Sequence, residues 1–475
     1  MTNEEEAATM SKDDVDANNS ADEKEQQEEP LGANGHHGGN DTEDEAQANE
    51  LDGSASEQVT PYVEEPEDED AERDLPQVEV KEEDEGKRRV SLETAVVDTW
   101  EITKRDIPIP ASIASQMIEH ADVVLSRRIE GTAEDMDLDR FERKIPRFQN
   151  KEIRLGRKIG FGNFADIYAI DGFLSATPSP KCTKEQLEEA KKLREVNHPN
   201  ALVVKVIKSQ LLVNYGLFAT GAADVLVEGT LLASLDHPHI LSIRGRSASG
   251  LGGFTLGKRD AFFLIFERLE GTLQGQMTVW NQKLSQIMTT MPGFRRRDSR
   301  YALLMERVHL MTDLAAAMVY LHERNIIHRD LKLTNVGVDY NGRAKLFDFG
   351  LAKVVPASTS ENELFNLTGN TGSVRYMAPE IGRGEQYNLK ADVYSFALLL
   401  WEVMSLAKVW QGWNPNEIRD KVHVRQQRPS ISFFWPSKLK ELLRNAWADS
   451  PTERISMEKV HLLLSQQMED FFFSN

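Results

Sequence analysis

The sequence predicts an α+β fold: a strand-rich region followed by a longer helical one, behind an acidic extension with no core of its own. Three observations lead there. Apolar, β-branched runs with strand periodicity occur at 153–170, 201–208 and 262–269. From Tyr301 onward the chain reads mainly as helix. The charge also breaks sharply near residue 87. Residues 1–86 hold 31 acidic and 4 basic side chains, a net of −27, whereas the rest of this chain of net charge −21 carries +6.

The first segment, 1–90, is rich in Glu, Asp, Asn, Gln and Gly and nearly devoid of aromatic residues. It cannot bury enough apolar surface to offset its ordering entropy, so it is expected to be disordered. His36 and His37 in its Gly-rich patch read as an inert pair rather than a metal site, and the acidic runs as solvated chain. Two arginines before Ser91, in Lys87-Arg88-Arg89-Val90-Ser91, make that serine a candidate phosphorylation site. Across 91–150 the apolar residues Ile113, Met117, Ile118, Val123, Val124 and Leu125 return with helical spacing. One or two short helices are expected there, packed on the outside of a domain spanning 151–470. A single cysteine, Cys182, excludes an internal disulfide framework and fits a reducing compartment. The N-terminus lacks a secretory signal, and no uncharged apolar run reaches the ~20 residues of a membrane span. The expectation is a cytoplasmic protein, with nuclear entry left open, that has neither a membrane span nor a nucleic-acid partner.

Within the domain, 153–170 alternates and carries Gly160 and Gly162 at a strand-turn-strand, where missing side chains permit close approach to phosphates. The stretch 172–200 is longer than an ordinary strand connection and holds a charged amphipathic helix over 184–196. In 201–208, alternation places Val203, Lys205 and Ile207 on one face and Lys208 on the other. Lys205 is mid-strand and so needs an anionic partner if buried. A polar insert at 274–300, ending Arg295-Arg296-Arg297-Asp298-Ser299-Arg300, reads as a solvated loop with Ser299 as a weak phosphorylation candidate. A long helix is expected over 301–325.

The densest chemistry lies in 327–350. Asp330 and Asp348 flank a segment long enough for a hairpin, with Asn341-Gly342-Arg343 as its turn signal. A hairpin brings Asp330, Lys332, Asn335 and Asp348 around one small volume. Two carboxylates and an amide suit a hard cation such as Mg²⁺, and the lysine suits a phosphate. One carboxylate is free to orient a hydroxyl nucleophile instead.

His328-Arg329-Asp330 and Asp348-Phe349-Gly350, in this order and with Lys332 and Asn335 at their places, resemble the catalytic and metal loops of the eukaryotic protein kinase family. The resemblance runs over about 153–464. It implies a bilobal kinase fold, with a small β-rich lobe at 151–268, a larger helical lobe at 269–470, ATP and Mg²⁺ as cofactors, and protein substrates. Ile159, Gly160, Gly162, Ile167 and Val203 would then enclose the nucleotide, although Ala165 replaces the third glycine of the loop. Lys205 would hold the α/β-phosphates, paired with Glu228, and Gly229 beside it hints at a mobile helix. Phe266 falls at the gatekeeper position, with the Glu267 and Leu269 backbone facing adenine. Asp348 and Asn335 would hold magnesium, Asp330 would be the base, and Lys332 would neutralise the transferred phosphoryl group. Leu232, Ile243, His328 and Phe349 would form an inter-lobe apolar column. Glu380, Asp392 and Arg454 would be architectural, and Phe471–Phe473 a docking tail.

Lys332 and Ser373 follow the serine/threonine pattern, and the wording of 371–380 and 392–402 resembles the tyrosine-kinase-like group, including Raf-like and mixed-lineage kinases. Dual specificity and a catalytically silent pseudokinase scaffold are the alternatives. Arg329 and Lys353 would repel one another without an anion, so phosphate on Thr368 or Thr371, added by an upstream kinase, is expected to order the loop.

Overall fold

The computed structural model describes residues 109–473, apart from 131–135, 138, 163, 175–181, 196–200, 209–210, 212–213, 257–261, 358–359 and 361. The expectations for the acidic extension, His36, His37 and Ser91 lie outside these residues.

Three helices decorate a six-stranded sheet in the smaller lobe. They are α1 (Ala111–Ile129), the single turn α2 (Arg140–Arg143) and α3 (Lys184–Arg194). The strands are β1 (Arg147–Phe148), β2 (Ile153–Phe161), β3 (Ala165–Phe173), β4 (Leu202–Ile207), β5 (Ile243–Ser247) and β6 (Phe263–Glu267), in the order β1-β5-β6-β4-β3-β2. All pairs are antiparallel except β1 with β5. Alternation along β4 sends Val204 and Val206 into one cluster, with Ile153, Ile170, Phe263 and Ile265. Val203 and Ile207 enter the other, against α4 (Tyr215–Ser234). Lys205 shares their face, as the period of two requires. By length and composition α4 could cross a membrane, yet 72% of its apolar window is buried inside the protein.

The predicted helix in the 172–200 insert forms as α3. Thr183 caps it: its hydroxyl accepts the Gln186 N–H at 3.1 Å, while Gln186 Oε1 accepts the Thr183 N–H at 3.0 Å. This reciprocal box satisfies two N-terminal amides.

The larger lobe holds β7 (Gly271–Thr272), α5 (Leu273–Thr290), α6 (Gly293–His322), the short strands β8 (Ile326–Ile327), β9 (Val336–Val338), β10 (Ala344–Leu346) and β11 (Lys353–Val354), and then α7 (Pro379–Arg383), α8 (Lys390–Ser405), α9 (Pro415–Ile418), α10 (Ser437–Ala446) and α11 (Met457–Phe473). The expected loop at 274–300 is instead helical. Leu273, Met277 and Trp280 recur at i, i+4 and i+7 and are all buried, a stripe that the surrounding glutamines and serines obscure. Trp280 Nε1 donates to Glu306 of α6 at 3.0 Å, and α6 begins eight residues before the expected start at Tyr301. At the C-terminus only Phe471 docks, edge-on to Tyr301 at 5.4 Å, whereas Phe472 and Phe473 are exposed.

Glu402 of α8 is fully buried, accepting the Tyr376 hydroxyl and the Val409 N–H, both at 2.6 Å. Burial pushes its carboxyl from 4.5 up to about 7. Between these values the folded state keeps a proton that the unfolded chain has released. Stability from this group is therefore present below pH 4.5 and lost as pH rises through about 7. The effect is on the order of 3 kcal/mol. Thermal unfolding of Glu402→Gln at pH 5 and pH 7.5 is expected to show a correspondingly smaller loss on the alkaline side.

Candidate active site

The stretch 327–350 folds as expected into a hairpin, with Ala344 opposite Val338 and Leu346 opposite Val336. Asp339 Oδ1 closes its turn by accepting the N–H groups of Asn341 and Arg343 at 2.8 and 2.9 Å, and Gly342 supplies φ +74°. Upstream, buried Asp392 at the start of α8 accepts the backbone N–H groups of His328 at 2.7 Å and Arg329 at 2.9 Å. Two adjacent amides turned to one carboxylate hold Arg329 at φ +67°, in left-handed space. The loop is thereby presented rigidly to the cleft.

Asp330 is held by four donors. Its Oδ1 accepts the Ser373 N–H at 3.1 Å and hydroxyl at 2.8 Å; its Oδ2 accepts Asn335 Nδ2 and Lys332 Nζ, each at 2.9 Å. Burial alone would raise its pKa, but the Lys332 charge and the hydrogen bonds outweigh it and hold the carboxyl below the usual range. Ser373 reaches Asp330 because Gly372 precedes it: at φ +95°, a Cβ there would stand 2.1 Å from the Arg329 carbonyl oxygen. Asn335 also donates to the Asp330 carbonyl at 2.9 Å, so its amide NH₂ is committed and its carbonyl oxygen is left as an acceptor.

The other half of the site comes from the smaller lobe. Lys205 Nζ meets Glu228 Oε2 at 2.6 Å. Burial opposes the ammonium charge, but the carboxylates of Glu228, Asp348 and Asp224 overcome it and raise the lysine's pKa. Asp348 adopts φ +65°, and the fully buried Phe349 after it lies edge-on to His328 at 5.1 Å. Leu232 and Ile243 are buried as expected.

Asp224 escaped the sequence reading. It precedes Glu228 by one helical turn, a spacing that puts both carboxylates on one face of α4. Burial, with Asp348 nearby, pushes its carboxyl up to about 8. The i, i+4 acidic pair was the available signal.

Gly160 pairs with Ile167 across β2 and β3. A Cβ at Gly160 or Gly162 would make only ordinary contacts, at 3.6 and 3.8 Å. The fold itself does not demand glycine at either place. Ile159 is exposed above this space, while Val203 and Phe266, cross-strand neighbours in β4 and β6, are buried behind it. The Glu267 carboxylate is held by the Ser242 N–H, Arg244 and Lys345 at 3.1 to 3.2 Å. The Arg268 N–H bonds the Ala201 carbonyl and the Glu270 N–H bonds that of Val338, both at 2.9 Å, leaving the Leu269 backbone between these two ties. The Leu269 side chain turns onto Gly337, where a Cβ would stand 2.1 Å from its Cδ1.

One expectation is corrected. Gly229 does not mark a loose helix: it is buried, and a Cβ there would approach Phe141 to 2.8 Å and Leu264 to 3.1 Å. Glycine at 229 permits close packing rather than motion.

A lysine–glutamate pair in the smaller lobe and a carboxylate-and-amide hairpin in the larger one together have the architecture of a phosphotransferase. The family model for protein tyrosine and serine/threonine kinases matches residues 153–464. The chain belongs to the protein kinase family and is of tyrosine-kinase-like type. It is 39% identical to the dual specificity protein kinase zakA of Dictyostelium discoideum over 31% of this chain and 20% of that one. It is 32% identical to the serine/threonine/tyrosine-protein kinase HT1 of Arabidopsis thaliana over 36% and 42%. It is 31% identical to the dual specificity protein kinase shkA of D. discoideum over 50% and 40%. The matches thus span less than half the length of each of these relatives.

Proposed function

We propose that the protein is a serine/threonine kinase that transfers the γ-phosphoryl group of ATP to hydroxyls of protein substrates, in the cytoplasm, with Mg²⁺. The observation that carries this reading is the convergence of Lys332, Asn335 and Ser373 on Asp330. Asp348 and the Asn335 carbonyl would hold magnesium, which when bound neutralises charge on the phosphates. Lys205 takes the α/β-phosphates, fixed by Glu228, while Gly160 and Gly162 admit the chain. Ile159, Ile167 and Val203 enclose the base, with Phe266 closing the space behind it. The backbone of Glu267 and Leu269 supplies its polar contacts.

Asp330, held ionised by its neighbours, orients the acceptor hydroxyl and takes its proton. A carboxylate with a lowered pKa is a weak base, so positioning matters more than proton abstraction, as a loose transition state requires. Lys332, in reach of both Asp330 and Ser373, offsets charge on the transferred group.

The test is transfer from radiolabelled ATP to serine, threonine and tyrosine peptides, with Asp348→Ala as control. Labelling of serine or threonine alone supports the proposal. Tyrosine labelling besides shifts it to dual specificity, in line with the names of the relatives. The absence of transfer overturns it in favour of a pseudokinase scaffold.

An upstream kinase acting on Thr368 or Thr371 belongs to the same proposal. Arg329 donates to the Leu351 carbonyl at 2.8 Å and to the Tyr387 hydroxyl at 3.3 Å, which in turn donates to the Thr368 carbonyl at 2.8 Å. This relay through neutral acceptors supports the loop before any phosphate is added, while Arg329 Nη2 has no hydrogen bond among the described residues. Replacing both threonines by alanine is expected to lower the activity of the phosphorylated enzyme about tenfold, the worth of one charge-assisted hydrogen bond. Full activity in the double variant would refute the idea.

A further inference from the structure

Helix α4, which carries Glu228, is packed from outside by chain that precedes the family match. Buried Ala114, Met117 and Ala121 place one face of α1 in the same core as Phe218, Ala219, Ala222 and Leu226 of α4. At the far end of α1, Arg128 Nη1 donates to the Leu351 carbonyl at 3.3 Å. That oxygen also accepts Arg329 Nε, and it follows Asp348-Phe349-Gly350 directly. From α2, Phe141 is buried against Gly229, next to Glu228.

The turn bearing Phe141 is itself braced. Glu142 bridges Arg246 at 2.5 Å and Arg147 at 3.1 Å, and the Arg246 guanidinium lies 4.8 Å over the Phe141 ring. From the insert helix α3, buried Gln186 donates to the Glu142 and Ile145 carbonyls at 3.0 and 3.1 Å. Helix α3 of the insert and the turn bearing Phe141 are therefore bonded together.

We propose that α1 and the segment 140–148, locked by Gln186, form an intramolecular collar that holds α4 in its catalytic position. Phe141 and Arg128 are its positioning residues. Phe141 fills the notch at Gly229 and keeps Glu228 against Lys205. Arg128 shares the Leu351 carbonyl with Arg329 and steadies the backbone that follows Asp348. Neither residue touches the reacting atoms; both act through α4 and the hairpin. Displacing the collar frees α4 to swing away, separates Lys205 from Glu228 and lowers affinity for the phosphates. This deepens the kinase reading, on which it rests.

The experiment uses the full-length protein with Phe141→Ala, Phe141→Leu and Arg128→Ala. Hydrogen exchange of the 224–231 amides and Mg·ADP binding by calorimetry are read beside peptide phosphorylation. The expected result is faster exchange and Mg·ADP binding weakened about tenfold in Phe141→Ala, the size of an ordinary coupling between two sites. A rise in KM for ATP should accompany it, with substantial recovery in Phe141→Leu. Arg128→Ala, which removes one partly buried hydrogen bond and spares the core, should move the same readouts in the same direction. Unchanged exchange and nucleotide affinity in folded Arg128→Ala and Phe141→Ala proteins, with lower melting temperature as the only effect, would overturn the collar and leave a merely structural role. Wild-type protein that binds Mg·ADP but transfers nothing would refute the kinase reading instead, and exchange and binding would still judge the collar.

Discussion

Asp330→Ala is expected to lower kcat by about 10²–10⁴-fold, the usual contribution of a positioned acid–base group, while the KM for ATP barely moves. The asymmetry follows from the contacts. Asp330 bonds Lys332, Asn335 and Ser373 and makes no bond to the nucleotide's proposed anchor, Lys205, which pairs with Glu228. Steady-state kinetics against both substrates checks it. A rise in KM for ATP as large as the fall in kcat would mean that Asp330 shapes the nucleotide site instead. Removing Asp330 also frees Lys332 Nζ and the Asn335 amide, so a second variant, Asp330→Asn, separates loss of charge from loss of shape.

Arg454→Ala is expected to destabilise the larger lobe by about 3–5 kcal/mol, the cost of leaving a buried charge unpaired. The guanidinium meets Glu380 through two bonds, at 2.6 and 2.7 Å, and also donates to the carbonyls of Ala448, Asp449 and Lys390. Both side chains are essentially inaccessible. Denaturant unfolding measures the loss. Transfer at low temperature should survive in the fraction that stays folded, because the pair lies outside the cleft. Replacing Glu380 and Arg454 together by apolar residues should cost less than either change alone, since no stranded charge remains.

The local elements read correctly from sequence are those with short-range grammar. Alternation alone put Lys205 on the face of Val203 and Ile207. The Asn341-Gly342-Arg343 turn predicted the hairpin, and the helix at 184–196 announced itself by charge spacing. The failures were of tertiary origin. Gly229 looked like a weakness in a helix because sequence shows the missing side chain but not the Phe141 ring that fills its place. Leu273, Met277 and Trp280 are few among polar neighbours, and only the partner surface of α6 reveals why they suffice. Asp224 was overlooked because an exposed acidic residue and one facing Lys205 look alike until the helix is rotated into position.

The two backbone ties beside Leu269 have a mechanical consequence. Arg268 is fastened to Ala201 in the smaller lobe and Glu270 to Val338 in the larger, so at this crossing Leu269 alone lies between the two ties. The Leu269 side chain is seated on Gly337, which ties this residue, the axle of any closure, to the larger lobe. Adenine bound to the Leu269 backbone would sit on the axle itself, where rotation displaces it least, while the phosphates at the far end of the nucleotide would sweep the widest arc. Opening about this point would break phosphate contacts first and release the base of a bound nucleotide last.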